Sequence, residues 1–224
     1  MQIFTKINSF KKTVIFIHGF GKKYNDFNVT EHNKNILIEH VISKTCNTIM
    51  LQFVEDDYKN TIAHISEKLM ENLDESILKT KIIIVAHSYG CFNAIYLCET
   101  YPNIFGRILL IEPTIKSETY KKILADHAGT NINSVEYAKF LNYDLLPNGF
   151  NISDKVILII HANIVNKEQI VENQCEYNDK ITNLEKLLNN NIKSKLVQHI
   201  NKSHMLHYKI PDIIIKSIKE LCKL

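Results

Sequence analysis

Ser88 is the residue best placed to do chemistry, because it lies at the junction of a predicted strand and a predicted helix. The β-branched run at residues 82–85 predicts a short buried strand. The helical pattern that follows ends before Pro102, and its apolar face comprises Cys91, Ala94, Ile95 and Cys98. A serine at such a turn has the geometry of a nucleophile elbow, where the N-terminal N–H groups of the helix favour developing negative charge. The pattern therefore predicts a serine nucleophile.

The base that this nucleophile requires is predicted to be His204. Serine is a weak nucleophile until a base removes its proton, and the base must itself be oriented by a third group. His204 follows the last predicted strand, residues 196–200, after a short loop. From that loop a histidine can reach a serine on a central strand, although an ordinary surface-loop histidine is the alternative. His207 is expected to lie in the following helix.

The acid that would orient the histidine is left open between several carboxylates. The predicted strand at residues 156–160 has no carboxylate in the short loop position after it. Asp179, just before a predicted helix at residues 180–189, is the preferred acid, and simple helix capping is its alternative role. Glu112 ends the strand after the elbow and is the second candidate, or a structural carboxylate. Glu168 and a Ser–His dyad without an acid remain.

The oxyanion hole needs two backbone N–H groups that point at one position. Tyr89 follows the serine and can supply one of them from the helix N-terminus. The predicted strand at residues 13–17 runs into the sequence His-Gly-Phe-Gly, where Phe20 can supply the other. Glycine lets the backbone of such a loop approach a ligand closely. The alternative for this loop is an ordinary tight turn.

The elements that must position these residues alternate between strands and helices. The strands are mostly continuous apolar runs, which indicates a mainly parallel sheet covered by helices on both faces. We therefore expect an α/β fold, a three-layer α/β/α sandwich, with residues 2–7 as an edge strand. The whole chain, residues 1–224, is predicted to be one domain with a small cap-like insertion at about residues 114–153. In such sheets sites lie beyond the carboxyl ends of the strands.

Composition excludes several other classes of protein. Of 224 residues 45% are hydrophobic and 23% charged, and a net charge of +3 with scattered lysines argues against nucleic-acid binding. No apolar run reaches the roughly 18 residues of a membrane span, and the N-terminus lacks a signal-peptide core. The five cysteines are widely spaced, which favours buried free thiols over disulfides or a metal site. A cytoplasmic protein without metal or cofactor is expected.

Taken together, these motifs resemble the α/β-hydrolase superfamily from about residue 13 to residue 221. VIFIHGFG is similar to its oxyanion strand and loop, KIIIVAHSYG to its elbow, and YPNIFGRILLIEPT to the segment after the elbow helix. SHMLHYKIPDIIIKSI resembles its histidine loop and last helix, and NDKIT its acid segment. The chain departs from the family at Ala86 and Cys91, where glycines are usual, and in a lengthened loop after residues 156–160.

The resemblance implies a serine hydrolase that cleaves carboxylic esters through an acyl-enzyme intermediate. A thioesterase or acyltransferase is the alternative among enzymes, and a non-catalytic ligand-binding protein is the alternative outside them. The expected partner is a small-molecule ester or thioester, and the oligomeric state is left open. The insertion carries apolar residues that either line an acyl pocket or pack the insertion onto the core: Tyr137, Phe140, Leu141, Tyr143, Leu145 and Leu146.

Overall fold

The computed structural model describes residues 1–19, 27, 38–53, 57, 60–129, 135–147, 156–162, 182, 184–185, 195–199 and 205–223. Within these residues the strands are β1 (Gln2–Lys6), β2 (Lys12–Ile17), β3 (Asn47–Gln52), β4 (Lys81–His87), β5 (Phe105–Ile111), β6 (Val156–Ala162) and β7 (Lys195–His199). They form one sheet in the order β1-β3-β2-β4-β5-β6-β7. β1 is an antiparallel edge strand, and the other neighbouring strands are parallel. The predicted edge strand and mainly parallel sheet are confirmed.

The helices of the described residues are α1 (Ile38–Ile42), α2 (Ile62–Glu71), α3 (Glu75–Leu78), α4 (Gly90–Thr100), α5 (Glu118–Ala128), α6 (Val135–Leu141), α7 (Leu206–Lys209) and α8 (Pro211–Lys223). A 3₁₀ turn, Tyr143–Leu145, follows α6. α2 begins where the Thr61 hydroxyl accepts a hydrogen bond from the His64 N–H, an N-cap that satisfies one of the free donors of the first turn. α8 begins at Pro211, a residue that the first turn of a helix tolerates because the N–H it lacks would have no partner within the helix there.

Side chains of β4 alternate between two buried clusters, one on each face of the sheet. Ile84 and Ala86 belong to the cluster that also contains the apolar residues of α2 and α4. Ile83 and Val85 belong to the cluster that contains those of α1 and α8. Burial of each such isoleucine contributes about 1.5–3 kcal/mol relative to exposure. Helices therefore cover both faces, and the predicted three-layer sandwich is confirmed.

The register of the central strands brings their carboxyl ends to one level. Ala86 pairs with Ile17 of β2 on one side and with Leu110 of β5 on the other. The residues that directly follow these strands therefore meet at a single edge of the sheet.

Parts of other predicted elements lie outside the described residues. Residues 31–44 show a helical pattern in the sequence, of which residues 38–44 are described and contain α1. The helix predicted over residues 180–189 is described only at positions 182, 184 and 185, which are helical. All four cysteines of the described part of the chain are buried free thiols, as expected: Cys46, Cys91, Cys98 and Cys222. Among the described residues, the helices are too short or too polar to cross a membrane.

Candidate active site

Ser88 occupies a strained turn between β4 and α4. Its φ is 52°, in the left-handed region that costs a residue with a Cβ roughly 1–2 kcal/mol. The Ser88 N–H donates a hydrogen bond to the carbonyl of Ile111 at the end of β5, with a length of 3.0 Å. Ser88 is only partly buried, whereas its neighbours His87 and Tyr89 are buried. The turn thus presents the serine at the edge of the sheet, at the N-terminus of α4.

Two glycines let the loop after β2 contact this turn. A Cβ on Gly19 would lie 2.9 Å from the Ser88 Cβ and 3.1 Å from Nδ1 of His87. A Cβ on Gly90 would lie 2.5 Å from the carbonyl oxygen of His18. Real Cβ atoms essentially never come this close to such neighbours, so the approach requires glycine at both positions. At Gly19 the backbone of this loop therefore packs directly against the turn that carries Ser88.

His18 fixes the start of that loop, a role that the sequence did not suggest. It is 1% exposed, and its Nδ1 lies 2.7 Å from the carbonyl oxygen of Gly19. Its Nε2 accepts a hydrogen bond of 3.2 Å from the N–H of Phe53. This pattern assigns the neutral tautomer with the proton on Nδ1, because the carbonyl can only accept. His18 therefore ties the loop to the end of β3.

Residues that follow β5 lie at the same edge of the sheet as the turn, and one of them contacts Ser88. The Ser88 carbonyl accepts a hydrogen bond of 3.3 Å from the Thr114 N–H, and the hydroxyl oxygens of the two residues lie 3.5 Å apart. Sequence reasoning missed Thr114, whose only signal is its place just after a predicted strand. Glu112 is 3% exposed, has a φ of 46°, and donates its N–H to the carbonyl of Ile160. Strained residues thus follow both β4 and β5, a pattern common at functional sites.

Two buried histidines connect α7 to the elbow. His207 lies in α7, and its predicted position in a helix is confirmed. It is fully buried, and its ring centroid lies 4.4 Å from that of His87. The ring of Phe27 lies 5.2 Å from His207 on another side. Because His87 directly precedes Ser88, this contact holds the start of α7 against the strand that carries the serine.

The segment between β5 and β6 packs onto the elbow from outside the sheet. Lys139 of α6 is 5% exposed, and its Nζ lies 4.4 Å from the centroid of the Tyr89 ring, within range of a cation–π interaction. The rings of Phe92 in α4 and Tyr120 in α5 lie 6.2 Å apart. Neither contact was evident from the sequence, because each joins residues of different elements.

Five of the six apolar residues predicted for this segment divide into two groups, and the sixth, Tyr137, is half-buried. Tyr143 and Leu146 are buried in the core cluster that covers α4, and Phe140 packs against that cluster. The Tyr143 hydroxyl donates a hydrogen bond of 2.6 Å to the carbonyl of Ser117, and burial raises the pKa of Tyr143. Leu141 and Leu145 are 62% and 63% exposed. Packing of the segment onto the core therefore explains the apolar character of Phe140, Tyr143 and Leu146.

Solved structures share this architecture at low sequence identity. An esterase from Thermogutta terrifontis matches with a TM-score of 0.67 and 11% identity, over 99% of this chain and 93% of that one. A carboxylesterase from the thaumarchaeon Nitrososphaera gargenis matches with 0.70 and 12%, over 99% and 95%. MenH from S. aureus matches with 0.65 and 15%, over 99% and 97%. The chain has the α/β-hydrolase fold. No protein-family model and no curated protein matches the sequence.

Within this α/β-hydrolase fold, the structure brings together some of the predicted site residues. Ser88 and Tyr89 lie at the elbow beside Gly19, and Glu112 lies at the same edge of the sheet. The other predicted site residues lie outside the described residues: Phe20, Glu168, Asp179 and His204. Among the described residues, no group of three or more His, Cys, Asp and Glu side chains could hold a metal ion.

Proposed function

We propose that this protein is a serine hydrolase that cleaves carboxylic esters through an acyl-enzyme intermediate. The observation that carries the proposal is the φ of 52° at Ser88, a serine between a central parallel strand and the N-terminus of α4. Ser88 is held in this costly conformation and contacts Gly19 of the neighbouring loop. Such a conformation is expected where a serine hydroxyl must be presented to a substrate.

In the proposed reaction Ser88 attacks the ester carbonyl while His204 takes the hydroxyl proton. His204 then gives this proton to the leaving alkoxide, and an acyl-serine remains. Water attacks the acyl-serine with His204 again as the base, which releases the carboxylic acid and restores Ser88. The N–H groups of Phe20 and Tyr89 stabilise the oxyanion in both steps. Asp179 orients the imidazole, and no step requires a metal or cofactor.

The backbone around the elbow supports the oxyanion hole. Tyr89 directly precedes the first residue of α4, where the N–H groups of the helix point towards the turn. Phe20 follows Gly19, which contacts both Ser88 and His87 so closely that a Cβ is excluded. The donors proposed for the oxyanion thus come from two backbone segments on either side of the serine.

The position of His207 supports His204 as the base. His207 packs against His87, the residue next to Ser88. His204 precedes His207 by three residues in the sequence, and three residues of chain span at most about 11 Å, which is why we propose it as the base. The ring of His207 is itself enclosed by His87, Phe27 and Tyr208, which favours a packing role for His207.

Glu112 is kept as a second candidate for the acid. Asp179 remains the proposed acid, from its place before the predicted helix and before His204. Glu112, however, is buried at 3% exposure at the edge of the sheet that carries Ser88, and its φ of 46° is as unusual as that of the serine. A buried carboxylate beside a histidine is what a triad requires.

The esters proposed as substrates carry small to moderate acyl groups. Esterases are named among the solved structures with this fold, which supports ester over other acyl bonds. We propose that the segment at about residues 114–153 is a cap over the site, because Lys139 reaches the Tyr89 ring from it. Thioesterase or acyltransferase activity is the alternative, and a panel of oxygen and sulfur esters separates it from esterase activity.

The decisive experiment is labelling with a fluorophosphonate probe, which phosphonylates an activated serine. We expect the wild type to be labelled and Ser88→Ala to be unlabelled. The matched control is Ser9→Ala, since Ser9 also has a left-handed φ, of 58°, but lies before β2 at the opposite edge of the sheet. Labelling of Ser9→Ala should equal that of the wild type. Folded wild type that resists the probe would exclude the serine-hydrolase proposal.

A further inference from the structure

Two buried cysteines meet at the edge of the sheet opposite to Ser88. Cys46 directly precedes β3, and Cys222 lies in the last turn of α8. They are 176 residues apart in sequence, yet their Sγ atoms are separated by only 3.7 Å. Cys46 is 2% exposed and Cys222 is 8% exposed. The fold thus places two thiols in contact, whereas Cys91 and Cys98 are buried within α4.

The surroundings make the two thiols chemically unequal. The hydrogen bond between the two thiols lowers the pKa of Cys46, although burial opposes this shift. The Thr45 hydroxyl, 3.9 Å from the Cys46 sulfur, and the positive charge of Lys12 act in the same direction as Cys222. The same hydrogen bond, together with burial, raises the pKa of Cys222. Of the two thiols, Cys46 is therefore the one that loses its proton more readily.

We propose that Cys46 and Cys222 form a redox modification site, which hydrogen peroxide oxidises to an intramolecular disulfide. The Cys46 thiolate attacks the peroxide oxygen, so that the O–O bond breaks, a sulfenic acid forms and one hydroxide leaves, which takes up a proton to become water. The Cys222 sulfur then attacks the Cys46 sulfur, the S–O bond breaks, and a second water leaves with the Cys222 proton. Two thiols are oxidised by two electrons, and one peroxide is reduced to two waters.

Geometry and position permit this reaction. The sulfur atoms must approach by roughly 1.7 Å to reach disulfide bonding distance. Cys222 is in the last turn of α8, and helix ends fray more readily than helix centres. Such fraying admits a molecule as small as hydrogen peroxide. The disulfide would fasten the last helix to the sheet without touching the edge that carries Ser88.

The test uses the reduced full-length protein, freed of reductant and treated with graded hydrogen peroxide. We expect the wild type to lose two alkylatable thiols together, to become two hydrogen atoms lighter, and to yield one cross-linked peptide pair that contains Cys46 and Cys222. Cys46→Ala and Cys222→Ala should not form the pair, whereas Cys98→Ala, a matched buried cysteine, should form it. A thiol reductant should restore both thiols.

A stability measurement keeps the proposal testable if an alanine variant folds poorly. Because the disulfide would close a loop of 176 residues, oxidised wild type should melt roughly 5–10 °C higher than reduced wild type. The shift should disappear after reduction. The proposal is overturned if peroxide consumes other thiols while Cys46 and Cys222 stay reduced, or if either cysteine is recovered only in a cross-link to a different cysteine. Neither readout requires catalytic activity.

Discussion

At the scale of single residues, the strain at Ser88 is a measurable property of the fold. Ser88→Ala and Ser88→Gly both remove the hydroxyl, but only glycine adopts a φ of 52° without steric cost. We expect Ser88→Gly to be more stable than Ser88→Ala by about 1 kcal/mol, because relief of the left-handed conformation exceeds the entropy that glycine gains on unfolding. Denaturant unfolding measures the difference.

The control for this comparison is the same pair of substitutions at Ser76. Ser76 is exposed in α3, where the backbone is helical, so alanine should be the more stable variant there. Equal stability of the two Ser88 variants would show that the turn is not strained in solution.

Asp179 and Glu112 are the two candidates for the carboxylate that is proposed to orient His204. We expect Asp179→Asn to lower kcat for an activated ester by about 10³-fold or more, because the imidazole loses its orientation and its charge partner. Glu112→Gln, a matched amide substitution, should keep kcat within several-fold of the wild type. The reverse result would assign the acid to Glu112, and two active variants would leave Glu168 or a dyad. Thermal unfolding of both variants separates catalysis from folding.

Local sequence could predict the strand, turn and helix around Ser88 but not the contacts that support this turn. Ser88 and Tyr89 follow from a strand, a turn and a helix within one short stretch of chain. His18, Thr114 and Lys139 act through partners in other elements; the ring of His18, for example, bonds the backbone of Phe53, 35 residues away. No periodicity encodes such pairs. The carboxylate of the proposed triad could not be predicted for the same reason, because it is identified by the side chain that it contacts in the fold.

At the scale of elements, Gly90 decides how closely β2 and α4 can pack. Alanine is favoured over glycine in a helix by about 1 kcal/mol, yet a Cβ here would meet the backbone carbonyls of His18 and Ile17 at 2.5 and 2.8 Å. Backbone cannot rotate away as a side chain can, so the clash dominates. We expect Gly90→Ala to lose about 2 kcal/mol of unfolding free energy and most fluorophosphonate labelling.

Gly106 provides the matched control for this substitution. It lies in β5, and a Cβ there would meet nothing within 4 Å. Gly106→Ala should be neutral or slightly stabilising, by up to roughly 1 kcal/mol, and should keep full labelling. If Gly90→Ala behaved like Gly106→Ala, the close approach of the two elements would not be required.

The elements themselves were predictable in proportion to their length and apolar content. β4 and β5 are continuous buried runs, and α8 repeats apolar residues over 13 positions. α3 was not predicted, because four residues form about one turn and cannot display a helical period. The sequences of α5 and α6 show only weak helical patterns, and these two helices pack mainly against each other.

At the scale of the whole molecule, Lys139 couples the proposed cap to the elbow. A cation–π contact is worth about 2 kcal/mol when it is desolvated, and this one joins α6 to the residue whose N–H is proposed to bind the oxyanion. Its removal should let the cap separate from Tyr89 without unfolding the sheet. We therefore expect Lys139→Met to lower kcat/KM about tenfold, equivalent to about 1.4 kcal/mol, and to increase proteolysis within residues 118–147.

Substitutions at Lys139 and Lys121 provide matched controls for this prediction. Lys139→Arg keeps a cation that stacks on the Tyr89 ring, so its kcat/KM should stay within a few-fold of the wild type. Lys121 also lies over a tyrosine, at 5.1 Å from the Tyr143 ring, but both residues belong to the same segment, and the Lys121 side chain is 36% exposed. Lys121→Met should therefore leave kcat/KM unchanged. A wild-type kcat/KM in Lys139→Met would mean that cap and elbow are held together by their apolar contacts, such as the one between Phe92 and Tyr120, rather than by this charge.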